Sequence, residues 1–213
     1  MRNNLKADRF FSKEERERIK ETTRDIESRT IGEIAVMVVD SSSQYIEAEV
    51  IGGMLVAGLL SLIITISYFD SSLWVYIPLS FLLFFPCQLI FRKLPSTKFP
   101  FIGLNRKESA VRERAVRAFY EKGLYKTRKN TGVLFFLSLL EHRVWVLADK
   151  GIYEKIEQET LSRFAARISQ GVRDDRACDV LCDVMKEAGE LLARHFPITP
   201  GDIDELPDEV ITE

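Results

Sequence analysis

The chain has 213 residues, with 30 Lys and Arg against 32 Asp and Glu, so its net charge of −2 selects no class of partner by bulk electrostatics. Its three cysteines, an odd number without framework spacing, argue against a disulfide-stapled extracellular domain. How the charge is distributed is more telling: residues 92–130 hold twelve Lys/Arg against three Asp/Glu, and residues 200–213 hold six acids and no base.

Taken in chain order, the first element is a helix. Ser12-Lys13-Glu14-Glu15 fits a capping box, in which Ser12 caps the first amides and Glu15 reaches back to the Ser12 N–H. The helix runs to about Ser28, with Ile19 and Ile26 marking its apolar stripe, and Gly32 follows. Ile34-Ala35-Val36-Met37-Val38-Val39 then reads as a strand buried on both faces, stopped by Asp40-Ser41-Ser42-Ser43.

Val50 to Phe91 carries no charge except Asp70. A helix needs about 20 apolar residues to cross a hydrocarbon core, and Val50–Phe69 and Ser71–Phe91 each meet that length. The short polar link Asp70-Ser71-Ser72 makes the two helices antiparallel, with Tyr68, Trp74 and Tyr76 gathered around it as an interfacial belt. Pro78, Pro86, Gly52 and Gly53 are compatible with membrane helices. Gly53 and Gly58 miss the four-residue spacing of a small-residue packing motif. A cleaved signal peptide is excluded by the charged region ahead of residue 50, and two soluble core helices by the roughly 170 remaining residues, too few to cover them on every side. Arg92, Lys93, Lys98, Arg106 and Lys107 follow the hairpin and none lies in its turn, which places both flanks, and so both termini, in the cytoplasm. The same basic stretch suits anionic lipid headgroups. Without a binding motif or interleaved aromatics it does not suit nucleic acid.

Beyond a Pro- and Gly-containing linker at Pro95–Leu104, a helix is expected from about Lys107 to Lys122, with Val111, Ala115, Ala118 and Phe119 on one face and Gly123 as its stop. Gly132–Ser138 and Arg143–Asp149 read as an antiparallel hairpin with His142 as a solvated turn residue. Two amphipathic helices close the domain. One is lined by Ile156, Phe164 and Ile168. The other runs from Ala177 to His195, with Asp174 or Asp175 as its cap and His195 favoured by the helix dipole at its end. Cys178 and Cys182 share a helical face, but no further ligand stands near enough in sequence to complete a zinc site. After Pro197 the acidic tail is expected to be loosely held. The organisation that follows is one small layered α/β domain with a mostly buried sheet, made from residues 10–40 and 105–197. A transmembrane hairpin at 48–92 interrupts it, and an acidic tail at 198–213 follows.

Phe11-Ser12-Lys13-Glu14-Glu15, then Thr30-Ile31-Gly32-Glu33-Ile34 entering the strand, resembles the start of a TPM domain. Ala118-Phe119, Gly123-Leu124 and Thr127 to Leu134 resemble that family's helix, small turn and Gly-Val-Leu strand, and Ala148-Asp149-Lys150-Gly151-Ile152 resembles its Asp-x-Gly-Ile turn. The resemblance spans roughly residues 10–40 and 108–196. It implies an α/β sandwich. The family includes a thylakoid-lumen protein linked to photosystem repair, an accessory protein of acetylcholine receptors and many bacterial membrane proteins. Phosphatase activity and divalent-metal binding are attributed to some plant members. Many members carry a signal peptide or a C-terminal anchor, whereas here the anchor is internal.

No Gly-rich phosphate loop, Ser/His/Asp order, zinc spacing or Cys-based redox motif is present. The candidate chemistry lies with carboxylates at strand ends, Asp40 after the first strand and Asp149 after the third. If those strands run parallel, both acids reach one sheet edge, could hold Mg²⁺ or Ca²⁺ through oxygen ligands, and could serve a metal-dependent phosphatase. The competing reading makes both of them turn residues that stabilise the loops they begin. The leading functional expectation is an accessory or interaction module for other membrane proteins. Transport is disfavoured, because neither membrane segment carries an internal charge.

Overall fold

Ser12 opens the first helix, α1 (Lys13–Glu27), with the reciprocal bonds of a capping box: its hydroxyl accepts the Glu15 N–H at 3.1 Å and its own N–H donates to Glu15 Oε2 at 2.7 Å. This description rests on a computed structural model that describes residues 6–69, 72–127, 129–199 and 208–213. The chain divides into two compact units, one built from Met1–Ser42 with Glu108–Glu213 and the other from Ser43–Lys107.

The first unit is a mixed α/β layer structure. Strand β1 (Glu33–Val39) pairs in parallel with β2 (Gly132–Ser138), and β2 pairs antiparallel with β3 (Arg143–Ala148). A fourth strand, β4 (Ile211–Thr212), runs parallel to β1 on its other side, giving the order β3-β2-β1-β4. Alternate residues point to opposite faces of the sheet. Ile34, Val36, Val38, Val133, Phe135, Leu137, Val144 and Val146 form one core with Ile19 and Ile26 of α1, Phe164 and Ile168 of α7 (Gln158–Arg173), and Leu181, Val184, Met185 and Leu192 of α8 (Ala177–His195). Ala35, Met37, Val39, Leu134 and Phe136 face the other way. They pack with Val111, Ala115, Ala118 and Phe119 of α5 (Leu104–Glu121) and with Leu124. Gly123 ends α5 in the left-handed conformation at φ 78°.

The expected caps of α8 are corrected. Asp174 closes α7, accepting from the Gln170 amide, and Asp175 takes a left-handed turn at φ 57°. Arg176 therefore precedes α8 without any side-chain cap. The tail expected to be loosely held is corrected for its last six residues. Val210, Ile211 and Thr212 are β-branched, and Asp208, Glu209 and Glu213 each meet a cation, so residues 208–213 lie down as β4 and its flanks. Residues 200–207 of that tail lie outside the described residues.

The second unit holds two helices long and apolar enough to cross a membrane, α2 (Ile46–Tyr68) and α3 (Leu73–Lys93). Asp70 and Ser71, expected as their turn, lie outside the described residues. The helices are antiparallel: Gly52 abuts Phe91, Gly53 abuts Gln88, and the Ser61 hydroxyl donates to the Tyr76 carbonyl at 2.9 Å. A stripe of small residues at four-residue spacing, Gly53, Ala57, Ser61 and Thr65, is buried along this seam. A Cβ on Gly53 would stand 3.2 Å from the Gln88 backbone, which is why glycine occupies that position. Away from the seam, Leu55, Leu59, Ile63, Ile77, Phe81 and Leu82 are exposed. Below the open end of the hairpin lies α4 (Pro95–Lys98). The Lys98 ammonium is buried and donates to Glu49 Oε1 at 2.6 Å and to the Gln44 carbonyl at 3.1 Å. Phe101 meets Phe91 edge to face, with ring centroids 5.5 Å apart.

Candidate functional site

The strand directions decide what the two predicted acids can do together. Since β2 is parallel to β1 and β3 is antiparallel to β2, the end of β3 lies beside the start of β1. Asp40 and Asp149 therefore stand at opposite edges of the sheet, separated by a seven-residue strand, or about 23 Å at ~3.3 Å per residue. This corrects the expectation that they converge, and a Mg²⁺ or Ca²⁺ ion shared between them does not fit. Among the described residues, no group of three or more His, Cys, Asp or Glu side chains is placed to hold a metal ion.

Each acid has local work that explains its presence. Asp149 caps the short helix α6 (Lys150–Tyr153), accepting the Lys150 N–H at 2.7 Å, while its own N–H donates to the Gly132 carbonyl at 2.9 Å. Its Oδ2 is buried without a hydrogen-bond donor. Gly151 belongs to the same turn. Its N–H donates to the Asn130 carbonyl at 3.1 Å, and a Cβ there would sit 2.7 Å from the carbonyl oxygens of Lys129 and Asn130. The Asp-x-Gly pattern is thus a docking device that seats the start of α6 on the loop before β2. Asp40, at the other edge, accepts the Ala7 N–H at 2.5 Å and ties the N-terminal segment to the end of β1.

Two polar clusters that strand-end reasoning did not single out occupy these edges. At the end where β1 and β2 both finish, the buried Glu141 accepts the Ser42 N–H at 3.0 Å through Oε1 and the Ser138 hydroxyl through Oε2. The Ser42 and Ser138 hydroxyls lie 2.7 Å apart. Parallel strand ends are where α/β sheets tend to hold ligands. Here Ser42, in the loop after β1, is tied to the end of β2 by these hydrogen bonds. The sequence signal was a glutamate in a tight strand connection, which normally reads as solvated.

At the opposite edge, Glu27 of α1 accepts the Ile34 N–H at 3.0 Å and lies beside Asp208, whose Oδ2 accepts from Arg24 Nε at 2.6 Å. Burial foremost, with the neighbouring carboxylates of Glu33 and Asp208, pushes the Glu27 carboxyl up to about 9, against the opposing pull of the Ile34 N–H. A protonated Glu27 removes the repulsion that a buried anion would meet from these neighbouring carboxylates. Burial and the adjacent Cys182 likewise push the Cys178 thiol up to about 12, which suits an unreactive core thiol.

No family model matches the chain, and no curated protein sequence matches it. Among solved structures, the NMR structure of BA42 protein from the psychrophilic bacterium Bizionia argentinensis is similar, with a TM-score of 0.61 at 20% identity over 98% of this chain and 99% of that one. At that identity the likeness speaks for the α/β fold alone.

Proposed function

We propose that this chain is an integral membrane protein in which α2 and α3 cross the bilayer as a hairpin and carry a TPM-like α/β domain on the cytoplasmic side. There the domain serves as an interaction or accessory module for other membrane proteins. The observation that carries this reading is the exposure of the hairpin's large apolar residues, such as Leu59, Ile63, Phe81 and Leu82. In water such a surface would far exceed the apolar patches that soluble monomers expose. In lipid it is the favourable outer face of a helix pair. The cations that follow α3, Arg92 and Lys93 in its last turn and then Lys98, Arg106 and Lys107, support the cytoplasmic orientation and contact with anionic headgroups. The alternative, a divalent-metal phosphatase using Asp40 with Asp149, has no support in the geometry, because the two acids stand at opposite sheet edges.

Two measurements test the proposal. All three native cysteines are buried, so a single cysteine introduced as Glu159→Cys reports its own surroundings. A membrane-impermeant maleimide should label it only after cells are lysed, and labelling of intact cells would overturn the cytoplasmic placement. Crosslinking in native membranes should join the chain to other membrane proteins. A chain that stays uncrosslinked over a range of linker lengths would remove the module reading.

A further inference from the structure

Among the described residues, strand β1 has β2 on one side and on the other only the two residues of β4. The strap that includes β4 is held in two ways. Its backbone adds to the sheet, with the Glu213 N–H donating to the Val38 carbonyl at 3.1 Å and the Asp40 N–H donating to the Glu213 carbonyl at 3.0 Å. Its acids meet a rim of cations on neighbouring helices. Asp208 pairs with Arg24, Glu209 with Lys20 at 3.0 Å, and Glu213 with both Arg114 and Lys122, the latter at 3.2 Å. Between the acids, Val210 packs against the core on one face of the sheet and Ile211 against the core on the other. The edge thus reads a pattern: acidic residues flanking an alternating pair of β-branched side chains in an extended backbone. Main-chain pairing supplies adhesion and alternate side chains supply selectivity, as in strand addition to an exposed edge.

The hold is light. Among the described residues only Met37 and Val38 of β1 are paired in the ladder with β4, and two of the four ion pairs have one mostly exposed partner, Glu209 at 75% and Arg24 at 63%. Exposed pairs contribute little once solvated. Elements with few ladder bonds and exposed contacts belong to the low-stability end of a fold.

We propose that the β1 edge, with the cationic rim of Lys20, Arg24, Arg114 and Lys122, is a docking groove for an extended acidic segment of a partner protein, and that residues 208–213 occupy it as a displaceable stand-in. The proposal rests on the module reading and supplies its contact surface. A partner is favoured over the tail of a second copy by the energetics of exchange. An identical tail makes no contact that the resident one lacks, so it has no differential affinity to drive replacement. A partner segment with a longer or better-matched strand does.

The test uses a fluorescent peptide with the sequence of residues 208–213, added to the detergent-solubilised full chain and to a variant lacking those residues. The deletion variant should bind the peptide at least tenfold more tightly than the intact chain. Arg114→Glu with Lys122→Glu in the deletion background should cost tenfold or more, and salt should weaken binding. Equal affinity for both chains, or no saturable binding to a deletion variant that keeps a cooperative melt, overturns the groove. Should the deletion variant fail to fold, full-length Glu213→Lys loosens the strap with the chain intact. Its peptide affinity should rise several-fold, and an unchanged affinity overturns the proposal. A concentration-dependent dimer that disappears when the tail is removed would put a second copy's tail in the groove and overturn the partner assignment. The peptide assay needs no membrane partner, so it separates the two readings. Peptide binding without any crosslinked partner keeps the groove and sinks the module. Crosslinks of equal yield with and without the tail keep the module and sink the groove.

Discussion

The two units use the same apolar side chains in opposite ways. In the α/β unit, Phe135 at the centre of β2 is 0% exposed and is covered by helices packed on its face of the sheet. In the hairpin unit, Phe81 is 72% exposed and faces away from its partner helix. One unit is stabilised by withdrawing carbon from water. The other leaves its large side chains on the outside and brings its helices together by close approach along a stripe of small residues. A single chain therefore follows two packing rules, one with its large apolar residues inside and one with them outside.

Truncating each phenylalanine should break the symmetry most sharply. Phe135→Ala should destabilise the α/β unit by about 3–5 kcal/mol, read by thermal or denaturant melts in detergent. Phe81→Ala should leave the same melt unchanged. A comparable loss from both would mean that the hairpin's outer face is packed against protein. Next in size is the buried pair below the hairpin. Lys98→Met leaves Glu49 buried without its cation and should cost about 3–5 kcal/mol, whereas Lys98→Met with Glu49→Leu should recover most of that, as followed by Trp74 fluorescence during unfolding. Gly53→Leu should cost about 1–3 kcal/mol by forcing the helices apart at Gln88, while Gly58→Leu should be nearly neutral, because a Cβ there meets only the Tyr76 hydroxyl at 3.6 Å. Cysteine-crosslinking efficiency across the seam would report both.

The last test varies pH. Glu27 keeps its proton in the folded α/β unit to about pH 9 but releases it near 4.5 when unfolded. Its contribution to stability is therefore complete below about pH 4.5 and is lost progressively as pH rises toward 9. Glu27→Gln, which keeps the neutral shape, should flatten that part of the Tm-against-pH curve. A slope identical to that of the unchanged chain would show that the carboxyl is ionised in the fold.

Local signals were legible in the sequence. The Ser12 capping box, the apolar runs of β2 and β3, the stop at Gly123 and the two apolar helices each depend on residues within a turn or two of one another. Features that depend on chain direction were hidden. Whether β1 runs with β2 or against it cannot be read from Ile34–Val39, and that one fact sends Asp40 and Asp149 to opposite edges. The strap was hidden because three β-branched residues among acids look like a solvated tail until Arg24, Lys20, Arg114 and Lys122 are brought alongside by distant helices. The seam at Gly53, Ala57, Ser61 and Thr65 was missed by weighing glycines alone, when a serine and a threonine serve the same close approach.

The hairpin also sets the order in which this protein can be born. Glu33 pairs with Gly132, so β1 leaves the ribosome about a hundred residues before its neighbour exists. Closing so long a loop in a free chain is slow, and β1 would meanwhile present an unpaired apolar strand to the cell. The antiparallel helices shorten that wait, because once they are side by side the contact of Glu49 with Lys98 draws the two ends of the insertion together. Pairing of the two helices thereby becomes a step on the way to completing the α/β unit, whose two chain segments the insertion separates.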